Sequence, residues 1–210
     1  MANVNVGFGL KPIDMLGGAP ATQGTNSYHI ASDASAIFQG SLVFATNGGT
    51  IAVSGTASAD TLKGVGVFAG CEYVSSSTGK KVFSNFWPGS GADTNFDIIG
   101  FVHDNPFQRF IICSDATLTN KAGAIATIFE NAEFSNVSGK GAADGSTTTG
   151  ISAAQLDVST VDASDLSHPL KIVGILDDPE NEDFTAAGIP LIVVINNHAL
   201  LAGSAEATVS

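Results

Sequence analysis

Side chains able to do chemistry are few in this chain, and they stand far apart. Four histidines, His29, His103, His168 and His198, come first, because imidazole can ligate metals and move protons near neutral pH. No two of them are four residues apart and none lies close to a cysteine, so metal-ligand spacing is missing. A hydrogen-bonded structural histidine is the expectation for each: His29 and His103 in or beside strands, His198 capping a strand end. Cys71 beside Glu72 could be forced into a Cys/His nucleophile scheme, but no nucleophile elbow or helix N-terminus accompanies it. A buried strand cysteine is the plainer reading, and the same holds for Cys113.

The segment 177–183 carries five carboxylates in seven residues, and calcium favours clustered oxygen ligands. It lacks the alternation and central glycine of a helix-loop-helix calcium loop, so a solvated acidic loop, or carboxylates pairing with a neighbour's arginines, competes. Gly64-Val65-Gly66 lacks the third glycine and the following helix of a dinucleotide fingerprint. Trp87, with Phe83 and Phe86 close by, could line a sugar-binding groove or pack inside a β core. No catalytic, cofactor or metal site is expected, and the chain is read as a non-enzyme.

The elements that would position these residues are mainly strands. Short apolar or alternating runs occur at 28–31, 37–45, 50–53, 62–74, 81–87, 96–103 and 107–113. They are broken by Asn47-Gly48-Gly49, Ser77-Thr78-Gly79, Pro88-Gly89 and Asp104-Asn105-Pro106. The runs 62–74 and 81–87 read as a hairpin across 75–80. Glycines inside the first predict bulges or sharp bends. Residues 119–131 fit a short helix or a loop with a strand. Residues 138–150 read as a polar loop, and Ser152 with Gln155 three on suggests one capped helical turn. Two runs rich in β-branched residues, 170–176 and 191–196, predict strands buried on both faces, with Pro190 opening the second.

The expected fold is therefore all-β, a barrel or sandwich with long polar loops over 27–198. Residues 1–26, rich in Gly, Pro and Asn, predict an extended N-terminal arm, and 199–210 a small-residue tail. A 44% hydrophobic share in 210 residues supports a sizeable core. Charged residues are only 13%, which suits a surface packed against other subunits. Twenty acidic against eight basic residues give a net charge of −12, repelled by nucleic-acid backbones and anionic membranes alike. The longest apolar run, 189–195, is far short of the ~20 residues of a membrane helix. Residues 1–10 have neither a basic nor an apolar leader region, so the expectation is no signal peptide and assembly in a cytosol.

Several phrases, taken in order, resemble the cement or decoration proteins of tailed-phage heads. They begin with Gly7-Phe8-Gly9-Leu10-Lys11-Pro12, Gly17-Gly18-Ala19-Pro20 and Tyr28-His29-Ile30. Asp104-Asn105-Pro106, Phe110-Ile111-Ile112 and Asn131-Ala132 follow. The closest likeness is C-terminal: Gly145-Ser146-Thr147-Thr148-Thr149-Gly150, Gln155-Leu156-Asp157, Leu170-Lys171-Ile172-Val173-Gly174-Ile175, Pro179-Glu180-Asn181-Glu182 and Val193-Val194-Ile195-Asn196-Asn197-His198. Residues 75–100 have no counterpart in that pattern. The resemblance implies a structural protein, made in the host cytoplasm, on the outer capsid surface of the virion. Its partners would be the major capsid protein and itself, as a trimer first and a dimer second. Phe8, Leu10, Ile13, Met15 and Leu16 of the arm would contact the capsid or a neighbouring subunit. The competing expectation is a carbohydrate-binding module or head fibre for host attachment, using Trp87.

Overall fold

A computed structural model describes residues 3–18, 20, 24–53, 63–135 and 145–201. Twelve strands and one short helix occur among them: β1 Lys11–Met15, β2 Asn26–Ile30, β3 Leu42–Ala45, β4 Ile51–Ala52, β5 Gly64–Val74, β6 Lys81–Ser84, β7 Ile98–His103, β8 Gln108–Cys113, α1 Lys121–Ala126, β9 Asn131–Ser135, β10 Gln155–Asp162, β11 Leu170–Ile175 and β12 Pro190–Ile195. The protein is all-β, as its short runs and turn residues predict.

The first sheet closes on itself. Strands run β3-β4-β2-β7-β5, and β5 pairs back onto β3, giving a five-stranded barrel with β6 attached outside to β5. Every pairing is antiparallel except β2–β4, which meet in parallel at Ile30 and Ile51. Closing so few strands needs strong curvature, and the long strand β5 supplies it. Its register slips between Phe68 and Gly70 against β7, and the β3 partner slips between Val43 and Phe44. Those are the bends that glycines within the run foretell.

The second sheet has the order β1-β8-β12-β11-β9-β10 and is antiparallel throughout. It curls until its far edge returns toward β8: the Asp115 N–H donates to the Leu156 carbonyl at 3.0 Å. Only the terminal strand β1 comes from the N-terminal side of the barrel; the rest follows it in sequence.

Alternation along β3 and β5 joins the two bodies. Val43 and Phe68 point into the barrel core with Ile30, Ile51, Ile98, Val102 and Trp87. Leu42, Phe44 and Val67 point the other way, into the core of the second sheet with Phe110, Ile112, Ile172 and Leu191. A barrel wall buried on both faces thus serves as the shared layer, which favours runs such as Leu42-Val43-Phe44 with no polar interruption.

Local expectations and outcome differ in four places, the first being that the run 81–87 is a strand only to Ser84. The run 37–45 is a strand only from Leu42, because Ile37 makes an isolated bridge to Trp87 instead. Residues 152–156 form no helical turn: β10 starts at Gln155 and pairs with Ser135 of β9. Strand β11 is buried only at Leu170 and Ile172 rather than along both faces, whereas β12 is buried at five of its six positions. The predicted start of β5 at residue 62, most of the loop 138–150, and the tail beyond 201 lie outside the described residues. Among the described residues no helix is long and apolar enough to cross a membrane.

Candidate functional site

The N-terminal segment carries the side chains expected to contact a neighbour, Phe8, Leu10, Ile13, Met15 and Leu16. It runs along its own chain. Asn3 donates through Nδ2 to the carbonyls of Asp183 and Ala187 at 2.9 and 3.1 Å. The Val4 N–H donates to Asn181 Oδ1, and Asn5 Oδ1 accepts from Gln155 Nε2 at 2.6 Å. Gly9 N–H then reaches the Ala154 carbonyl and Leu10 N–H the Gly40 carbonyl, at 3.0 and 2.8 Å. Residues 3–10 therefore form a strap across the acidic loop, the start of β10 and the barrel, before entering β1. Gly9 is required there: its φ is +70°, and a Cβ would lie 2.4 Å from the Gly40 oxygen.

The described part of residues 1–26 is thus bound to its own chain. Leu10 is 2% exposed and belongs to the chain's own core, so it cannot anchor a partner. Phe8, Ile13 and Met15 are half-buried, and Leu16 is exposed. Arg109 of β8 clamps β1 with a two-pronged ion pair to Asp14, its Nε at 2.6 Å from Oδ1. Between strap and barrel lies an open apolar groove of about 420 Å³, lined by Phe8, Pro12, Phe68 and Ile151 with Lys11 and His103 at its polar side. Burial holds the His103 imidazole below its ordinary pKa, against the smaller opposing pull of Asp104.

The other candidates are dispersed. Buried His198 accepts the Leu200 N–H at Nδ1, so its proton sits on Nε2, which has no partner among the described residues. Desolvation lowers its pKa to about 4, which keeps it neutral. His168 stands between Glu133 at 3.2 Å and Asp165 at 3.6 Å, tying β9 to the turn before β11. His29 is exposed, 4.0 Å from Asp97. Among the described residues no group of three or more His, Cys, Asp or Glu side chains could hold a metal ion.

In the acidic loop two of the five carboxylates, Asp178 and Asp183, accept hydrogen bonds from their own segment. Asp178 accepts from the Glu180 N–H and from Asn181 Nδ2, and Asp183 from the N–H and hydroxyl of Thr185. These bonds favour the ionised form and lower both pKa values.

Cys71 is buried with its thiol directed at the Phe86 carbonyl, and burial pushes its pKa up to about 12. Such a thiol is a poor nucleophile. Trp87 is 0% exposed, donates Nε1–H to the Ala34 carbonyl and meets Tyr73 edge-on, so it lines no surface groove.

Sequence reasoning passed over a polar knot around Asp104. That nearly buried carboxylate accepts from Tyr28 Oη at 2.6 Å and from Asn26 Nδ2 at 2.8 and 3.0 Å. Burial and the Asp104 carboxylate together raise the Tyr28 pKa to about 12. The knot fastens β2 to the turn between β7 and β8, which gives the Asp104-Asn105-Pro106 phrase a structural role. Also missed were the exposed aromatic rings Phe96, Phe107 and Phe129, which no local period distinguishes from core residues, and Phe83, read together with Trp87, parts from it by lying exposed. Compared with known family models, curated proteins and solved structures, the chain matches none.

Proposed function

We propose that this chain is a structural cement or decoration protein of a tailed-phage head, bound to the outer capsid surface and stabilising contacts between major capsid subunits. The observation that carries the reading is the set of large apolar side chains left exposed on a sparsely charged surface: Phe83, Phe96, Phe107, Phe129 and Leu166. They are spread over loops, edges and turns rather than gathered in one cleft, an arrangement compatible with a subunit touching several neighbours at once. Many modest contacts then act together, so the affinity of each can be low while the assembled shell is stabilised. The ordered phrases from Gly7 to His198 support the same reading. Of the arm residues, Phe8, Ile13, Met15 and Leu16 remain available for contact, and Leu10 is withdrawn from the set.

A second reading, a carbohydrate-binding module or head fibre, loses Trp87 to the barrel core. What supports it instead is a polar pocket of about 320 Å³, where the Phe96 ring stands beside His29, Thr50, Thr94 and Asp97. Purified heads with and without the protein, challenged by heat and salt, separate the two. The cement reading expects the protein to co-sediment with the shell and its loss to lower the temperature of DNA release. Unchanged release, with saturable glycan binding by the isolated protein, would overturn it in favour of the second.

A further inference from the structure

We infer that β6 is an interaction edge for a second copy of this chain, paired antiparallel about a two-fold axis at Val82. The inference stands independently of the capsid reading.

Strand β6 sits outside the barrel and pairs only with β5, in the continuous register Cys71–Ser84, Glu72–Phe83, Tyr73–Val82 and Val74–Lys81. Which of its backbone groups face outward follows from the hairpin. The Ser75 N–H donates to the Lys80 carbonyl at 2.9 Å across the turn, where Gly79 takes the left-handed φ of +64°. Antiparallel ladders alternate bonded and non-bonded pairs. Tyr73–Val82 and Cys71–Ser84 are therefore the bonded ones, while Lys81 and Phe83 aim their N–H and C=O groups away from β5. The Val74 carbonyl confirms the phase, since it accepts from Asp93 on the opposite side of β5.

Two residues thus present two donors and two acceptors along an open edge, with no partner among the described residues. Pairing two such edges with Val82 opposite Val82 sets Lys81 of each chain opposite Phe83 of the other. All four outward groups of each chain are then satisfied, by four intermolecular hydrogen bonds. A centre at Phe83 would need Asn85, which has already bent out of the strand.

The side chains agree with this register. Lys81 and Phe83 share one face, and the ammonium already lies 5.6 Å from the centre of its own Phe83 ring. In the pair it would also meet the partner's ring, a cation–π contact, and no two lysines would oppose each other. Phe83 is 70% exposed, and the dimer covers it. A lysine on an edge strand ordinarily guards against pairing. Here the Lys81 charge is held by Glu72 of β5 at 2.7 Å, which leaves the edge itself open.

The test is sedimentation of the full chain over a micromolar to millimolar range, with two variants and two control variants. Phe83→Pro removes an N–H that the β5 ladder does not use, so the barrel keeps its melting temperature while dimerisation weakens by at least about thirtyfold, for two hydrogen bonds lost per dimer besides the two rings. Val82→Cys places two sulfurs across the axis at a non-bonded pair, where Cα atoms are about 4.5 Å apart, so mild oxidation links the dimer. Lys81→Cys and Phe83→Cys, offset from the axis, do not self-link. A chain that stays monomeric, forms a trimer, or dimerises without the Val82→Cys link overturns the inference.

Discussion

Leu10→Ala distinguishes a strap that belongs to the fold from an arm that only rests on it. Leu10 is 2% exposed and packs in the second-sheet core. Replacing a buried leucine by alanine costs about 2.7–5 kcal/mol, the upper values applying where the cavity stays closed. Here the vacated space adjoins the groove beneath Phe8 and Pro12 and can open into it, so the lower end applies, about 3 kcal/mol. With a urea slope of about 2 kcal/mol per molar, the midpoint falls by about 1.5 M at unchanged slope. Leu16→Ala, at a residue 42% exposed, is the control and shifts stability by less than about 0.5 kcal/mol. Equal, small shifts for both variants would refute the reasoning, since residues 3–10 would then add nothing to the core in solution.

Two other outcomes follow from buried titratable groups. The folded-state pKa of His198 drops from 6.5 to about 4, so the folded protein binds fewer protons than the unfolded chain between those values. The stabilisation is complete above about pH 6.5 and is lost as pH falls toward 4. It amounts to roughly 3 kcal/mol, at about 1.4 kcal/mol per pH unit. Urea midpoints measured across that window should fall on acidification, and His198→Gln should flatten the curve; an equally steep variant would refute the assignment. The Cys71 thiol, with its pKa pushed up to about 12, should resist a thiol reagent at mildly alkaline pH until the protein unfolds. Immediate labelling of native Cys71 would show that the barrel core is open there.

How much of this was legible beforehand depended on the range of the forces involved. The hairpin of β5 and β6 could be read because Ser77-Thr78-Gly79 breaks two strand-like runs, and Gly79 supplies the left-handed turn. Strand β12 could be read to its first residue, since Pro190 can open a strand and the β-branched run behind it suits burial. The turn at Ser152 failed for the opposite reason. Ser152 and Gln155 match a helix cap locally, but Gln155 spends its amide on Asn5 and on the Ser114 carbonyl, partners more than 40 residues away. The strap was read differently for the same reason, because Leu10 is buried in a core assembled from distant strands rather than by its sequence neighbours.

Composition and short-range pattern were enough to determine an all-β chain, the main hairpin and the apolar runs that fill its cores. Each of those rests on backbone preference or on alternation over a few residues. Tertiary structure alone decided that the first sheet closes into a barrel, that the N-terminal segment is bound to its own chain, and which aromatic rings face water. Phe83 and Trp87 stand four residues apart, yet Phe83 is 70% exposed and Trp87 fully buried. Strand β6 stays outside the barrel, whereas the chain at Trp87 turns back to bridge Ile37. Which ring is covered depends on how distant strands close around it, and no local run of side chains encodes that closure.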